Sequence, residues 1–342
     1  MTGLRRITPA FRCSSPVSGG RLHRVWPTRI PARIVANVLP AEWLLAIALL
    51  YAFGPPATAG TSAEAAWPAW VLELPPSVGT FLVADTGEAT LYEYTRAEDG
   101  RFELTEHYMS IGLRGAGKRR AGDQRTPLGI YFIVDQLDTT RLDPKYGVTA
   151  FPLDYPNTLD RIAGRTGDGI WLHGVPPGDE RRPVWDTDGC IALANRDLEA
   201  LAPRLELNAT PVIVTRAMHL VDPDALVETT ATLRAALESW RLASETGDAM
   251  GYLSLYAENF TYRDLDREQW VAFRAEQFAS RKPASVEIED LVLLQEPEDE
   301  STFMARFRLR RQGVDGRQSL TKRLYWRRDD AGVFRIVAED NG

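Results

Sequence analysis

The sequence predicts a β-rich sandwich or half-barrel over residues 77–216, followed by an α+β domain over residues 223–342. Three observations predict it. Short apolar runs bounded by turn residues dominate the first segment, which holds one clear amphipathic helix. A long amphipathic helix opens the second segment. Beyond it the apolar period switches to two, the mark of strands.

In chain order, Thr80-Phe81-Leu82-Val83-Ala84 and Ala89-Thr90-Leu91-Tyr92-Glu93-Tyr94 flank Asp85-Thr86-Gly87-Glu88, a hairpin signal. Further strands fit 102–111, Gly129-Ile130-Tyr131-Phe132-Ile133-Val134, 170–173 and Pro211-Val212-Ile213-Val214. The helix starts at Asn195, places Leu198, Leu201 and Leu205 on one face, and is ended or kinked by Pro203. In the second domain Leu226, Leu233, Leu237 and Trp240 recur at helical spacing over roughly six turns. Two shorter helices fit 250–256 and 268–278. In 302–310, Phe303, Ala305, Phe307 and Leu309 alternate with Met304, Arg306, Arg308 and Arg310. With Arg323 and Arg327 these arginines form a basic strip on one sheet face, either a contact for carboxylates or a solvated face.

The N-terminus carries seven Arg and no acid in its first 34 residues, then eleven apolar residues from Trp43 to Phe53 and the small-x-small Ala57-Thr58-Ala59. A membrane span needs about 20 residues, so the pattern reads as an export signal over residues 1–59. The alternative is an uncleaved anchor over residues 34–53, leaving the N-terminal segment in contact with the membrane. Residues 60–76, rich in Ala, Pro and Trp, read as a linker or lead-in. The chain carries net charge −7, and loss of seven Arg and one Glu with the leader makes it −13. Such a body is not drawn to nucleic acid by its overall field.

Chemistry concentrates in two stretches, Ile170-Trp171-Leu172-His173-Gly174 and Trp185-Asp186-Thr187-Asp188-Gly189-Cys190. Cys190 is the only cysteine beyond residue 60, so no intramolecular disulfide holds it once a leader is removed. A thiol within reach of an imidazole is the minimum set for nucleophilic acyl transfer. A buried structural cysteine beside a core histidine is the plain alternative. One cysteine and scattered histidines supply no metal-ligand spacing, and no cofactor motif is present. His107 and His219 lie far from these stretches and read as structural or exposed.

A third stretch, Gly122-Asp123-Gln124-Arg125-Thr126-Pro127-Leu128-Gly129-Ile130-Tyr131, joins them, with Asn195 and Asp197 beyond the cysteine. His-Gly followed sixteen residues later by Cys, with a Thr-Pro-x-Gly-x-Tyr lead-in, resembles the L,D-transpeptidase (YkuD-like) catalytic domain of peptidoglycan enzymes over residues 77–216. The resemblance implies a β-rich sandwich and a thioester acyl-enzyme formed on stem tetrapeptides. It implies attack by Cys190, proton transfer by His173, and the Gly174 carbonyl as the acceptor fixing the imidazole. Backbone N–H groups at Asp188, Gly189 and Cys190, in the turn that Thr187 opens, are the implied oxyanion hole. The family's usual Arg two residues after the cysteine is Ala192 here. Arg165 and Arg125 are the candidate cations to replace it. Tyr146 and Trp171 are pocket-wall candidates, with core packing as the alternative.

The helix-then-sheet layout of residues 223–342 resembles the nuclear transport factor 2-like fold, a cone with an internal pocket. Family enzymes that join these two domains include L,D-carboxypeptidases. The resemblance therefore implies a periplasmic peptidoglycan L,D-transpeptidase, with an L,D-carboxypeptidase trimming tetrapeptides to tripeptides as the alternative. A non-catalytic wall-binding protein is the third reading.

Overall fold

The computed structural model describes residues 66–342, save 261, 263, 264, 280–283, 314 and 315. The leader and anchor readings on residues 1–59 lie outside the described residues. Among the described residues no helix is long and apolar enough to cross a membrane.

The first domain contains β1 (Trp67–Pro68), β2 (Val71–Glu73), β3 (Thr80–Asp85), β4 (Thr90–Arg96), β5 (Phe102–Gly112) and β6 (Gly129–Phe132). It continues with β7 (Ala150–Pro152), α1 (Thr158–Ile162), β8 (Trp171–His173), β9 (Trp185–Thr187), β10 (Ile191–Leu193), α2 (Asn195–Leu201), β11 (Pro211–Thr215) and β12 (Leu220–Val221). Eight strands follow one path, β6-β11-β3-β4-β5-β10-β8-β7, and β9 pairs with β5 beside it. The expected hairpin forms, with Thr80 opposite Thr95 and Asp85 opposite Thr90. β7, β9 and β10 have three residues each, too few to show a period in the sequence. A short 3-10 turn, Ala202–Arg204, carries Pro203 and closes the α2 segment.

The second domain contains α3 (Val227–Thr246), α4 (Ala249–Ser254), α5 (Arg267–Ala279), β13 (Ala284–Glu296), β14 (Asp299–Gly313), β15 (Gly316–Arg328) and β16 (Phe334–Asp340). β16, β15, β14 and β13 are neighbours in that order, and β2 adds a fifth strand. The 60–76 lead-in is therefore more than a linker where it is described: β1 pairs with β12, and β2 pairs with β13. Leu233, Leu237 and Trp240 of α3 pack with Phe303, Ala305, Phe307 and Leu309 of β14. The concave side is filled by Trp240, Tyr252, Tyr256, Phe260 and Trp270. Arg274 sits among these rings and donates to the Tyr252 hydroxyl at 2.8 Å.

β3 is buried along its whole length because both faces are covered. Leu82 and Ala84 face the first domain's own core, whereas Phe81 and Val83 join a second core. That second core also takes Val292, Leu294, Met304, Tyr325 and Ala338 from the second sheet. The basic-strip expectation changes accordingly. The middle of that sheet face, at Met304 and Arg306, lies against the first domain, where Arg306 bonds Asn208 O and stands over the Phe132 ring. Arg323 pairs with Asp154 and Asp340, while Arg308 and Arg310 pair with Asp290 and Glu289.

Candidate active site

β8 and β10 run parallel, with Leu172 opposite Ile191 and His173 opposite Ala192. Adjacent central strands thus bring the His and Cys stretches together. The turn before β10 is closed by the Thr187 hydroxyl, which donates to Cys190 O at 2.8 Å and accepts from Gly189 N at 3.1 Å. Gly189 has φ of 127°, and a Cβ there would meet Arg125 O at 2.6 Å. Only glycine fits this turn without displacing backbone. Cys190 emerges at its end, 8% exposed, with Sγ 3.4 Å from Gly169 O.

His173 is buried, and its Nδ1 lies 2.6 Å from Gly174 O. A carbonyl only accepts, so Nδ1 carries the proton and Nε2 is left as the basic nitrogen. The loops beside the imidazole are fixed in turn. Gly174 N donates to Tyr146 O, and the Tyr146 ring stands edge-on to the imidazole with centroids 5.2 Å apart. Asn195, at the start of α2, accepts from Val148 N and Val175 N and donates to Val175 O. One buried amide thereby ties together the two segments that flank the histidine.

Burial sets the charge state. It pushes His173 down to about 4, aided by the Arg182 and Lys145 charges and opposed by the Gly174 carbonyl. Burial also pushes the Cys190 thiol up, with Asp188 adding to the rise; the Trp171 N–H, Lys145 and Lys118 pull the other way. At neutral pH the pair rests as thiol and neutral imidazole rather than as an ion pair. A neutral imidazole is the form that can accept a proton.

A family model for the YkuD L,D-transpeptidase catalytic domain matches residues 79–214. Residues 79–214 are a YkuD L,D-transpeptidase-family domain. Residues 232–340 match the Cds6 C-terminal NTF2-like domain, so the second domain is NTF2-like. The helical cell shape determining protein Pgp2 from Campylobacter jejuni is 28% identical, with TM-score 0.65, covering 80% of this chain and 93% of that one. Bdellovibrio bacteriovorus Bd1075 shares the fold at 23% identity and TM-score 0.66, covering 81% of this chain and 98% of that one. No curated protein matches the chain.

In the YkuD domain, Cys190, His173, Tyr146, Thr187 and Asp188 line one cavity of about 430 Å³. Arg165 and Arg125 do not line it. Arg165 is drawn to Asp160 at 2.8 Å, and Arg125 Nη1 donates to Ala116 O at 3.0 Å, so both face a neighbouring cavity. The cations at the cysteine are Lys145, Arg182 and Lys118, which the sequence reading missed. Arg182 pairs with Asp186 and Lys118 with Asp123, while Lys145 has no carboxylate in ion-pair range among the described residues. Trp171 packs on Tyr146 at 4.6 Å behind the cavity rather than lining it. The Gly189 N–H is taken by Thr187, so it is not a free donor for an oxyanion. The distant His107, expected to be structural or exposed, is buried and held by Glu93 at 2.8 Å. No group of His, Cys, Asp or Glu among the described residues is arranged to hold a metal.

Proposed function

We propose that this protein is an exported cysteine enzyme that trims stem tetrapeptides of peptidoglycan to tripeptides, an L,D-carboxypeptidase built on an L,D-transpeptidase-family domain. The carrying observation is His173, oriented by Gly174 O and sharing a cavity with Cys190. In the first step Cys190 Sγ attacks the carbonyl carbon of the L-centre of diaminopimelate. The thiol proton passes to His173 Nε2, and the amide oxygen turns towards the Asp188 and Cys190 N–H groups. Collapse breaks the C–N bond, and the imidazolium returns that proton to the leaving D-alanine amine. In the second step His173 takes a proton from water, hydroxide adds to the thioester, and the C–S bond breaks. The tripeptide leaves with a new carboxylate, and Cys190 regains its proton. Lys145 supplies a free cation for the carboxylate of the leaving D-alanine.

Two observations support water as the acceptor. A cavity of about 430 Å³ is the size of one peptide arm, and with the acyl stem inside it admits water more readily than a second stem. The likeness to Pgp2 runs through both domains, the arrangement that the sequence resemblance associates with trimming, and that relative is a cell-shape determinant. Transpeptidation is the second reading, favoured by the family model over residues 79–214.

Mass spectrometry of the protein with a disaccharide tetrapeptide, beside Cys190→Ala, tests both. Tripeptide and free D-alanine are expected, with a transient thioester at Cys190. Cross-linked dimers would replace trimming by transpeptidation. Absence of any product and of an adduct at Cys190 would overturn the catalytic reading.

A further inference from the structure

Beside the Cys190 cavity lies a second one of about 940 Å³, separated from it by the segment Lys118–Asp123. Seven cations line it against two carboxylates, Asp123 and Glu298. The whole chain is net acidic, so this concentration of positive charge opposes the molecule's overall field.

The segment is held in a fixed shape. Asp123 accepts from the backbone N–H groups of Arg119, Arg120 and Arg125 and from Lys118 Nζ. Burial alone would raise its carboxyl, but these donors outweigh that and hold it at about 2. It therefore stays ionised and keeps the turn closed at any physiological pH. Three further cations are anchored by protein partners: Arg125 on Ala116 O, Arg165 on Asp160 and Arg216 on Glu298. Arg114, Arg119 and Arg120 remain exposed, with no carboxylate in ion-pair range among the described residues. A cavity with anchored cations in its wall and unpaired guanidinium groups at its mouth fits a ligand with several carboxylates.

We propose that this basic cavity is a second subsite, which binds the free carboxylates of the same stem peptide upstream of the bond cut at Cys190. This rests on the trimming reading for the ligand's identity. Lys118, in the segment between them, borders both cavities, so a stem with its scissile bond at Cys190 has only to cross that segment to reach the second. The subsite gives binding energy remote from the reacting bond and sets selectivity for stems whose carboxylates are free.

The test measures affinity of the full chain carrying Cys190→Ala for a synthetic tetrapeptide stem. A second stem has its upstream carboxylates converted to amides. The double variant Arg119→Ser/Arg120→Ser, and Arg114→Ser separately, are compared with Arg101→Ser, an exposed cation elsewhere. Expected is a tenfold or greater loss of affinity for the carboxylate stem in the double variant, a smaller one for Arg114→Ser, and none for Arg101→Ser. The amide stem should bind weakly to every protein, with no dependence on these arginines. Equal affinity of the double variant and its parent for the carboxylate stem would overturn the subsite. So would an equal loss for the amide stem. Binding needs no turnover, so its outcome stands apart from the fate of the catalytic reading.

Discussion

At the scale of single residues, the proposed mechanism depends on a histidine that stays neutral and a thiol that stays protonated. His173 sits at about 4 and Cys190 above its ordinary value, both through burial. The sign follows directly. Protonation of the imidazole removes the base, so kcat/KM should fall on the acid side with a midpoint near 4 and be flat from there to neutral pH. Alkylation of Cys190 by iodoacetamide in the free enzyme, by contrast, tracks thiolate and should keep climbing beyond pH 9. A preformed thiolate–imidazolium pair would instead give fast alkylation that is level between pH 5 and 8, and that result would refute the neutral-pair account. Cys190, His173 and the Gly174 acceptor were legible because each belongs to a short contiguous motif. Lys145 and Arg182 were not. They reach the cavity from short turns tied to distant segments, Tyr146 O accepting from Gly174 N and Arg182 O from the Tyr108 hydroxyl, contacts that no local pattern shows.

At the scale of elements, α2 acts on the site from behind. Asn195 was readable as a helix start, and its side chain does something else: it serves the backbone on either side of His173. Asn195→Ala leaves the buried Val175 N–H and carbonyl and the half-buried Val148 N–H without this partner. Each such group costs about 1–3 kcal/mol if water does not reach it. The expected outcome is a melting temperature lowered by several degrees and kcat lowered at least tenfold, with KM changed less than threefold. A variant that loses stability but keeps kcat would show that Asn195 only holds the fold. The strands around it explain what sequence periodicity can carry. β3, β4 and β14 have six or more residues and were found, whereas β7, β9 and β10 have three and were not; β8, equally short, was found as an apolar run with Ile170. The alternation in β14 was read correctly, but the middle of its second face, at Met304 and Arg306, is the seam between domains. A period of two separates the faces without saying what covers each one.

At the scale of the whole molecule, the two domains share a core, and that core contains one carboxyl that no local rule places there. Glu296, at the end of β13, is buried with Oε1 unpartnered, and its Oε2 lies close over Gly129 of β6. Burial raises it from 4.5 to about 8, with nearby Asp160 adding to the rise and Arg165 opposing it. The folded protein therefore holds a proton here that the unfolded chain releases above its ordinary value. Stability from this group is unaffected below about pH 4.5, falls as pH rises towards 8, and levels off beyond. The total loss is on the order of a few kcal/mol. Glu296→Gln carries no ionisable proton, so its melting temperature should decline less between pH 5 and 8, and it should exceed the parent's at pH 8. Because the carboxyl lies in the core common to both sheets, the two domains should shift together in one transition. Parallel melting curves for parent and variant across that range would mean the carboxyl is ionised in the fold. Separate transitions would mean that the shared core does not couple the YkuD and NTF2-like domains.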